Sequence, residues 1–333
     1  MKTALLERRG EPLRITEVDD PSPGQGEVLL RVEACGVCHG DVCIADGAWD
    51  WVALPRIIGH EIVGVVEEVG PGVDEECVGL RFGVGWMYRS CGRCESCRSR
   101  AQMLCEARLV TGSDVNGGYA AKVVAPRDRL VQIPDALGPV EAAPLMCAGV
   151  SAFNGLRKAG FGPGTRVGVV GIGGLGHLAV QFAKAAGSRV VAVSRTRRKE
   201  KDALTLGADE FVATAEGDLA EQLTSLGGLD VAVITATDAS LLGSVVGGMR
   251  PNGALVMLGL DNDITLSPAD LCLRQLRVYG SLTGTVDDEA DTLRVAAETG
   301  IRPWVEEYPL DQANVALERV RSGEVRYRAA LVP

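Results

Sequence analysis

The sequence predicts an α/β protein in which a β-rich domain precedes a doubly wound parallel sheet. Up to residue 148, short runs that alternate apolar and polar residues, such as residues 28–32, are interrupted by Gly and Pro. This pattern is typical of short strands joined by turns. From residue 164 onward, apolar segments of four to six residues alternate with segments of helix length. Parallel strands joined by crossover helices produce that alternation.

The second region contains six apolar segments that we predict to be strands: residues 166–171, 189–194, 210–213, 231–237, 254–259 and 277–282. The tail predicts helices over 288–299 and 311–322 and a last strand over 327–332 that returns to the first domain. We therefore predict one domain built from residues 1–148 and 286–333, and a parallel-sheet domain over residues 149–285.

Composition and charge exclude several classes of partner. With 333 residues the chain is long enough for two domains that each bury a core. The net charge of -10, without a basic block, argues against nucleic acid and anionic membranes as partners. The first residues lack the apolar core of a signal peptide, and ten cysteines without an export signal indicate a reducing compartment. The predicted location is the cytoplasm.

Four closely spaced cysteines form the first candidate metal site: Cys91, Cys94, Cys97 and Cys105. Four thiolates at this spacing surround one tetrahedral zinc and leave no coordination position open, which predicts a structural metal. The alternatives are ordinary buried thiols or two disulfides. Both are disfavoured, because three cysteines within seven residues rarely arise from packing and give poor geometry for paired disulfides.

A glycine-rich turn follows the first apolar segment of the second region, with glycines at 171, 173, 174 and 176 in the pattern GxGxxG. Gly171, Gly173, Gly174 and Gly176 allow the backbone to turn tightly between a strand and the amphipathic helix predicted over 178–186. Unpaired N–H groups at the start of such a helix bind a pyrophosphate. The turn therefore predicts a dinucleotide site.

The end of the second predicted strand indicates which dinucleotide binds. An NAD site places an acidic residue there to accept from the ribose hydroxyls, whereas this chain has Ser194. Four cations follow it: Arg195, Arg197, Arg198 and Lys199. Since guanidinium groups bind a 2′-phosphate, we favour NADP(H) over NAD(H), with Ser194, Arg195 and Lys199 in the site. The alternative, a solvated basic helix start, is opposed by the helix dipole.

A second metal constellation combines three separate segments. Residues 59–73 fit the pattern GHE-x2-G-x5-G-x2-V, residues 38–41 read Cys-His-Gly-Asp, and Cys147 lies downstream. With these motifs the chain resembles the zinc-dependent alcohol dehydrogenases of the medium-chain dehydrogenase/reductase superfamily over essentially its whole length. The resemblance implies a GroES-like catalytic domain and a Rossmann cofactor domain. It also identifies the four-cysteine cluster with the structural zinc of that family, so two zinc ions are expected per chain.

The resemblance implies that Cys38, His60 and Cys147 ligate a catalytic zinc, with Glu61 as an alternating ligand or a residue behind the ligands. Three protein ligands leave one position for an alcohol oxygen. Asp41 would accept a hydrogen bond from His60 and fix its tautomer, as carboxylates behind metal ligands do. His39 corresponds to the family residue that touches the cofactor pyrophosphate.

The resemblance also implies a slender apolar substrate pocket. Trp49 and Trp86 match tryptophans that flank the pocket in yeast-like and bacterial alcohol dehydrogenases, and Met146 is similarly placed. We assign Leu282 to the cofactor site. A pocket of this kind favours primary alcohols and aldehydes with an aliphatic, aromatic or allylic tail.

Gly40 departs from the family pattern. The family places Ser or Thr there, whose hydroxyl relays the alcohol proton, and glycine has no such group. In the favoured hypothesis a water or a ribose hydroxyl replaces the relay, and the chain interconverts alcohols and aldehydes with NADP(H). In a second hypothesis the chain reduces an activated C=C or C=N bond with NADPH. In a third hypothesis the chain is a non-catalytic NADPH-binding relative of these enzymes. The family resemblance also suggests that the chain forms a homodimer or homotetramer.

Overall fold

The computed structural model describes residues 1–236, 241–259 and 263–333. The strands are β1 (Lys2–Leu6), β2 (Arg14–Glu17), β3 (Glu27–Val37), β4 (Arg56–Ile57), β5 (Glu61–Val69), β6 (Arg81–Val84), β7 (Met87–Arg89), β8 (Leu109–Val110), β9 (Lys122–Pro126), β10 (Leu130–Gln132), β11 (Arg166–Val170), β12 (Arg189–Ser194), β13 (Glu210–Ala213), β14 (Leu229–Ile234), β15 (Met249–Met257), β16 (Arg277–Gly280), β17 (Val305–Pro309) and β18 (Arg328–Val332).

The α-helices are α1 (His39–Asp46), α2 (Glu95–Arg98), α3 (Pro139–Ala142), α4 (Ala148–Ala159), α5 (Gly176–Ala185), α6 (Glu200–Thr205), α7 (Leu219–Ser225), α8 (Leu242–Gly247), α9 (Pro268–Arg274), α10 (Val286–Thr299) and α11 (Ala313–Arg321). Among the described residues, none of the helices combines the length and the apolar character that crossing a membrane requires.

The chain divides into two compact units. The first unit comprises Met1–Val150 and Thr283–Pro333, and the second comprises Ser151–Leu282. The sequence places these boundaries at residues 148/149 and 285/286, each within three residues of the observed division.

The first unit is built around a largely antiparallel sheet with the strand order β10-β6-β5-β3-β18-β17, and β9 also pairs with β3. Its alternating strands bury one apolar core, in which Leu30, Ile62 and Leu331 are fully enclosed. The last strand, β18, pairs antiparallel with β3, with Ala330 opposite Gly36. The C-terminal segment thus completes the sheet that the N-terminal half begins, as the sequence predicts.

The second unit is a six-stranded parallel sheet with the order β13-β12-β11-β14-β15-β16. Its central strands are apolar on both faces, and every residue from Val190 to Val193 is fully buried. The order reverses between β11 and β14, which is where doubly wound sheets bind dinucleotides. The predicted α/β class with a doubly wound parallel sheet is confirmed.

Four of the six predicted strands of this sheet have different ends in the structure. The segments predicted over 166–171 and 277–282 end slightly earlier, at Val170 and Gly280. The segment predicted over 231–237 begins earlier, at Leu229, and its strand ends at Ile234. Its last predicted residue, Thr237, lies outside the described residues. The segment predicted from 254 begins at Met249, because Met249 pairs with Leu229 before the regular register resumes at Ala254.

Candidate active site

Three distant segments meet at one cluster in the first unit. Cys38 caps the start of α1, His60 immediately precedes β5, and Cys147 lies just before α4. One potential ligand atom from each of these residues and one from Glu61 all lie within 4.8 Å of one another. This set of two thiols, one imidazole and one carboxylate matches the donors that zinc accepts. The structure therefore brings together all four residues that the resemblance proposes as catalytic ligands.

Asp41 lies directly behind this cluster and is fully buried. Its Oδ2 accepts a hydrogen bond of 2.8 Å from the Cys38 backbone N–H, and its Oδ1 lies 3.2 Å from His60 Nδ1. Burial opposes the charged form of His60, but Asp41 and the Cys38 sulfur outweigh it and raise the pKa of His60 well above its usual value. The Asp41 carboxylate thus contacts two of the residues proposed as metal ligands.

The pKa values of the two thiols in the cluster are shifted in opposite directions. The hydrogen bond from Cys147 lowers the pKa of Cys38 well below its usual value, although burial acts in the other direction. The same hydrogen bond raises the pKa of Cys147. A thiolate is the form of cysteine that binds metal ions, so the lowered pKa of Cys38 favours metal binding.

Glu61 is ion-paired with Arg328, a residue of β18 that sequence reasoning missed. Arg328 Nη2 donates to Glu61 Oε1 at 2.5 Å and to Oε2 at 2.6 Å, and both residues are buried. Burial raises the pKa of Glu61 to about 7, with Arg328 opposing that rise. The carboxyl group fits only because Gly36 has no side chain, since a Cβ there would lie 2.0 Å from Glu61 Oε2. The only feature of the sequence that points to Arg328 is the predicted last strand, which returns to the first domain.

The four-cysteine cluster occupies its own lobe of the first unit. One sulfur from each of Cys91, Cys94, Cys97 and Cys105 lies within 4.8 Å of the other three, and all four are free thiols. This excludes the disulfide alternative. Backbone N–H groups of Arg93 and Cys94 lower the pKa of Cys91 to about 6, which favours a thiolate. The cluster fits a closed tetrahedral site.

The glycine-rich turn in the second unit has the geometry of a phosphate cradle. Gly171 follows β11 with a φ of +99°, and a Cβ on Gly176 would lie 1.9 Å from the Gly171 carbonyl oxygen. Beside Gly173, in contrast, no atom lies within 4 Å of the position a Cβ would take. The turn therefore presents bare backbone at the start of α5, where helix N–H groups bind phosphate.

Three side chains hold the carbonyl groups of this turn. Lys199 Nζ donates to the Ile172 carbonyl at 2.6 Å, and Thr235 Oγ1 donates to the Gly171 carbonyl at 2.7 Å. His177 Nδ1 lies 3.0 Å from the Gly173 carbonyl oxygen. Lys199, which the sequence assigns to the cofactor, thus braces the turn in this structure. Sequence reasoning missed Thr235, because it follows β14, three strands later in the chain than the glycine turn after β11.

The cations after β12 separate into paired and unpaired groups. Arg197 forms ion pairs with Glu200 at 2.6 Å and with Glu216 at 2.9 Å. Arg195 and Arg198 are exposed, and neither guanidinium has an ion-pair or hydrogen-bond partner within the described ranges. These two side chains are therefore available to a ligand near Ser194, which ends β12.

Comparison with known proteins identifies the family of this chain. Residues 24–135 match the alcohol dehydrogenase GroES-like domain, and residues 174–298 match the zinc-binding dehydrogenase domain. The chain is 42% identical to an alcohol dehydrogenase of Geobacillus stearothermophilus, over 99% of either chain. This protein is a zinc-type alcohol dehydrogenase of the medium-chain dehydrogenase/reductase superfamily. The resemblance inferred from the motifs is thereby confirmed.

Two further relatives carry more specific names. An NADP-dependent alcohol dehydrogenase C 1 of Mycolicibacterium smegmatis is 36% identical, over 96% of this chain and 93% of that protein. The structure of a cinnamyl alcohol dehydrogenase from Sorghum bicolor superposes with a TM-score of 0.92 at 32% identity, covering 99% of this chain and 97% of that one.

Within this alcohol dehydrogenase, Gly40 faces the ring of Trp49. A Cβ on Gly40 would lie 3.1 Å from Trp49 Cη2 and 3.6 Å from His60 Cε1. Trp49 stacks on Trp51, with 5.5 Å between ring centroids. The indole of Trp49 therefore borders the place that a relay hydroxyl would occupy, next to His60, which we propose as a metal ligand.

The remaining residues assigned to the pocket and the cofactor differ in environment. Met146 is fully buried, and its sulfur would lie 2.5 Å from a Cβ on Gly83. Met146 thus packs against β6, and its assignment to the substrate pocket stays a prediction. Trp86 and Leu282 are half-buried and His39 is exposed, so a ligand can reach each of them.

Proposed function

We propose that this alcohol dehydrogenase is a zinc-dependent enzyme that interconverts primary alcohols and aldehydes with NADP(H). The observation that carries the proposal is the partly buried cluster of Cys38, His60, Glu61 and Cys147, whose potential ligand atoms lie within 4.8 Å of one another. Zinc bound there supplies Lewis acidity toward an alcohol or carbonyl oxygen. The nicotinamide cofactor supplies or accepts the hydride.

The side chains around the cluster give this site one open coordination position. Arg328 holds both Glu61 oxygens, which leaves Cys38, His60 and Cys147 as the three protein ligands. Asp41 Oδ1 lies 3.2 Å from His60 Nδ1, so we assign Nε2 as the nitrogen that would bind a metal. Four thiolates in the other cluster close their site completely, and we assign that second zinc a structural role.

The preference for NADP(H) rests on the unpaired cations after β12. Arg195 and Arg198 have free guanidinium groups beside Ser194, where an NAD site would carry an acidic residue. The name of the Mycolicibacterium smegmatis relative points the same way. Arg195→Ala should raise the KM for NADPH much more than the KM for NADH. Arg197→Ala is the matched control, because Arg197 is already paired with two glutamates; equal effects of Arg195→Ala on both cofactors would refute the phosphate assignment.

The substrate class rests on the apolar surroundings of Gly40. Trp49 beside Gly40 favours flat or linear apolar tails, and the cinnamyl alcohol dehydrogenase from Sorghum bicolor supports aromatic and allylic alcohols. Since no hydroxyl exists at position 40, a water or a ribose hydroxyl must carry the alcohol proton. The absent relay also supports a second candidate, the reduction of an activated C=C or C=N bond.

The deciding experiment is a panel of aliphatic, benzylic and cinnamyl-type aldehydes and alcohols assayed with NADPH and NADH, with product identification. Cinnamaldehyde should yield cinnamyl alcohol. A saturated aldehyde as the sole product would establish the second candidate instead. Fewer than two zinc ions per chain together with no turnover would favour the non-catalytic relative.

We also propose a homodimer or homotetramer in the cytoplasm. The strand β16 forms one edge of the six-stranded sheet, with Val278 38% exposed and Leu273 of α9 85% exposed nearby in sequence. An uncovered apolar strand edge is a surface that proteins cover by association. Light scattering of the purified protein measures the assembly directly.

A further inference from the structure

Tyr119 is a fully buried tyrosine that neither the motifs nor the proposed chemistry uses. Its hydroxyl donates to Asp41 Oδ2 at 3.1 Å, the same oxygen that accepts from the Cys38 backbone N–H. The other oxygen, Oδ1, lies 3.2 Å from His60 Nδ1 and has no hydrogen-bond partner among the described residues. Two donors on one oxygen therefore direct the second oxygen toward the imidazole.

The ring of Tyr119 is held from several sides. A Cβ on Gly59 would lie 2.4 Å from Tyr119 Cδ1, so the ring occupies the space that the glycine of the GHE motif leaves free. The Tyr119 N–H donates to the Ile58 carbonyl at 3.0 Å. Its carbonyl accepts from the Ala4 N–H at 2.9 Å and from Thr3 Oγ1 at 3.1 Å. The backbone and the ring are both fixed, so the direction of the hydroxyl is fixed as well.

Resting on the proposed function, we propose that Tyr119 is a positioning residue for the catalytic metal: its hydroxyl holds Asp41 so that the carboxylate orients His60. Tyr119 remains a proton donor throughout the working pH range, because burial and then the Asp41 charge raise its pKa well above the usual value. Without the hydroxyl, Asp41 Oδ2 keeps only the Cys38 N–H and the carboxylate can rotate. Residues behind metal ligands typically contribute about 10–100-fold to metal affinity.

The test is Tyr119→Phe, which keeps the ring and removes only the hydroxyl. In the wild type, zinc release to a chelator should show two phases, one for each zinc site. The phase that is absent in the Cys147→Ala variant belongs to the catalytic site. In Tyr119→Phe that site should bind zinc about 10–100-fold more weakly, while the four-cysteine phase is unchanged. The visible spectrum of cobalt bound at the catalytic site should also shift, because the ligand geometry changes.

Tyr88→Phe is the matched control. Tyr88 is also buried and donates to a carboxylate at 2.6 Å, but that carboxylate belongs to Glu27 and not to Asp41. This variant should leave the catalytic zinc phase and the cobalt spectrum unchanged. A double-mutant cycle adds a second criterion: in the Asp41→Asn background, removal of the Tyr119 hydroxyl should have little further effect on zinc affinity.

Two results would overturn the inference. One is a Tyr119→Phe protein with a lower Tm but wild-type zinc affinity and cobalt spectrum, which would make the tyrosine a packing residue only. The other is full additivity with Asp41→Asn. A wild-type protein that binds catalytic zinc without turning over any alcohol would refute the proposed function alone, because the effect of Tyr119 is measured on the metal.

Discussion

The two candidate metal clusters of the first unit are built in opposite ways. The four cysteines from Cys91 to Cys105 lie in one short segment, and neighbouring backbone N–H groups support their sulfurs. The other cluster joins Cys38, His60 and Cys147 from three segments and is supported by distant side chains. Under the proposed function, the local cluster would saturate a structural metal and stabilise its lobe. The long-range cluster would keep one position open and depend on the surrounding fold to hold its ligands in place.

The largest expected effect is a loss of activity when a residue of the cluster of Cys38, His60 and Cys147 is replaced. Cys147→Ala removes a ligand of the open site, so kcat/KM for alcohol oxidation should fall about a thousandfold or more, since metal polarisation contributes several kcal/mol. The protein should remain folded and retain one zinc per chain. Steady-state kinetics with metal analysis measures both quantities. Activity within tenfold of the wild type would refute a catalytic role for this cluster.

The next effect concerns stability. Cys97→Ser opens the closed cluster and should lower the free energy of unfolding by at least about 2 kcal/mol, or roughly 4–8 °C in Tm. At 25 °C kcat/KM of the folded enzyme should stay near the wild-type value. Cys77→Ser is the control, because Cys77 is a buried thiol outside both clusters. Calorimetry should show a much smaller loss for this control, and equal losses would contradict a structural metal at Cys97.

A third prediction contrasts the two buried glutamates. Glu61 has Arg328 as a counter-ion, whereas Glu289 is 4% exposed with its carboxyl group against Gly85. Burial, and then the Asp288 charge, raise the pKa of Glu289 well above its usual value. The unfolded chain releases this proton once the pH exceeds the ordinary glutamate pKa, while the folded chain keeps it. Stability should therefore fall as the pH rises above that value, by at most about 1.4 kcal/mol per pH unit.

Glu289→Gln tests this contrast because the amide cannot titrate. Near pH 4 the free energy of unfolding should depend on pH in nearly the same way for the variant and the wild type. Toward pH 8 the free energy of unfolding of the variant should become progressively larger than that of the wild type. Urea unfolding at a series of pH values gives the difference. A constant difference across that range would show that Glu289 is ionised in the folded protein.

The smallest expected effect is at Gly40, beside the open cluster. Gly40→Ser adds a hydroxyl and should raise kcat for alcohol oxidation by no more than about tenfold, with an altered pH–rate profile. A well-placed acid–base group contributes more, but the new Cβ would lie 3.1 Å from Trp49 Cη2 and must displace the ring slightly. Gly40→Ala adds the same Cβ without the hydroxyl. If both variants behave alike, the hydroxyl has no role.

How much the sequence predicts depends on how local each feature is. The six-stranded alternation and the GxGxxG turn are contiguous patterns, and the structure forms β11, the turn and α5 in that order. The groups that brace the turn, such as Thr235, belong to other strands and have no motif. Met146, which the family resemblance places in the pocket, is buried against Gly83, and no motif in the sequence indicates that contact.

The sequence by itself determined the two-domain α/β class and the glycine turn, and it predicted both candidate metal-ligand sets, because spacing along the chain restricts which side chains can share one ion or one phosphate. Only the tertiary structure decided what surrounds those ligands. Arg328 reaches Glu61, and Tyr119 reaches Asp41, across 267 and 78 positions of sequence respectively. A hydrogen bond depends on distances of a few ångströms in the folded chain, and separation along the sequence carries no information about such distances.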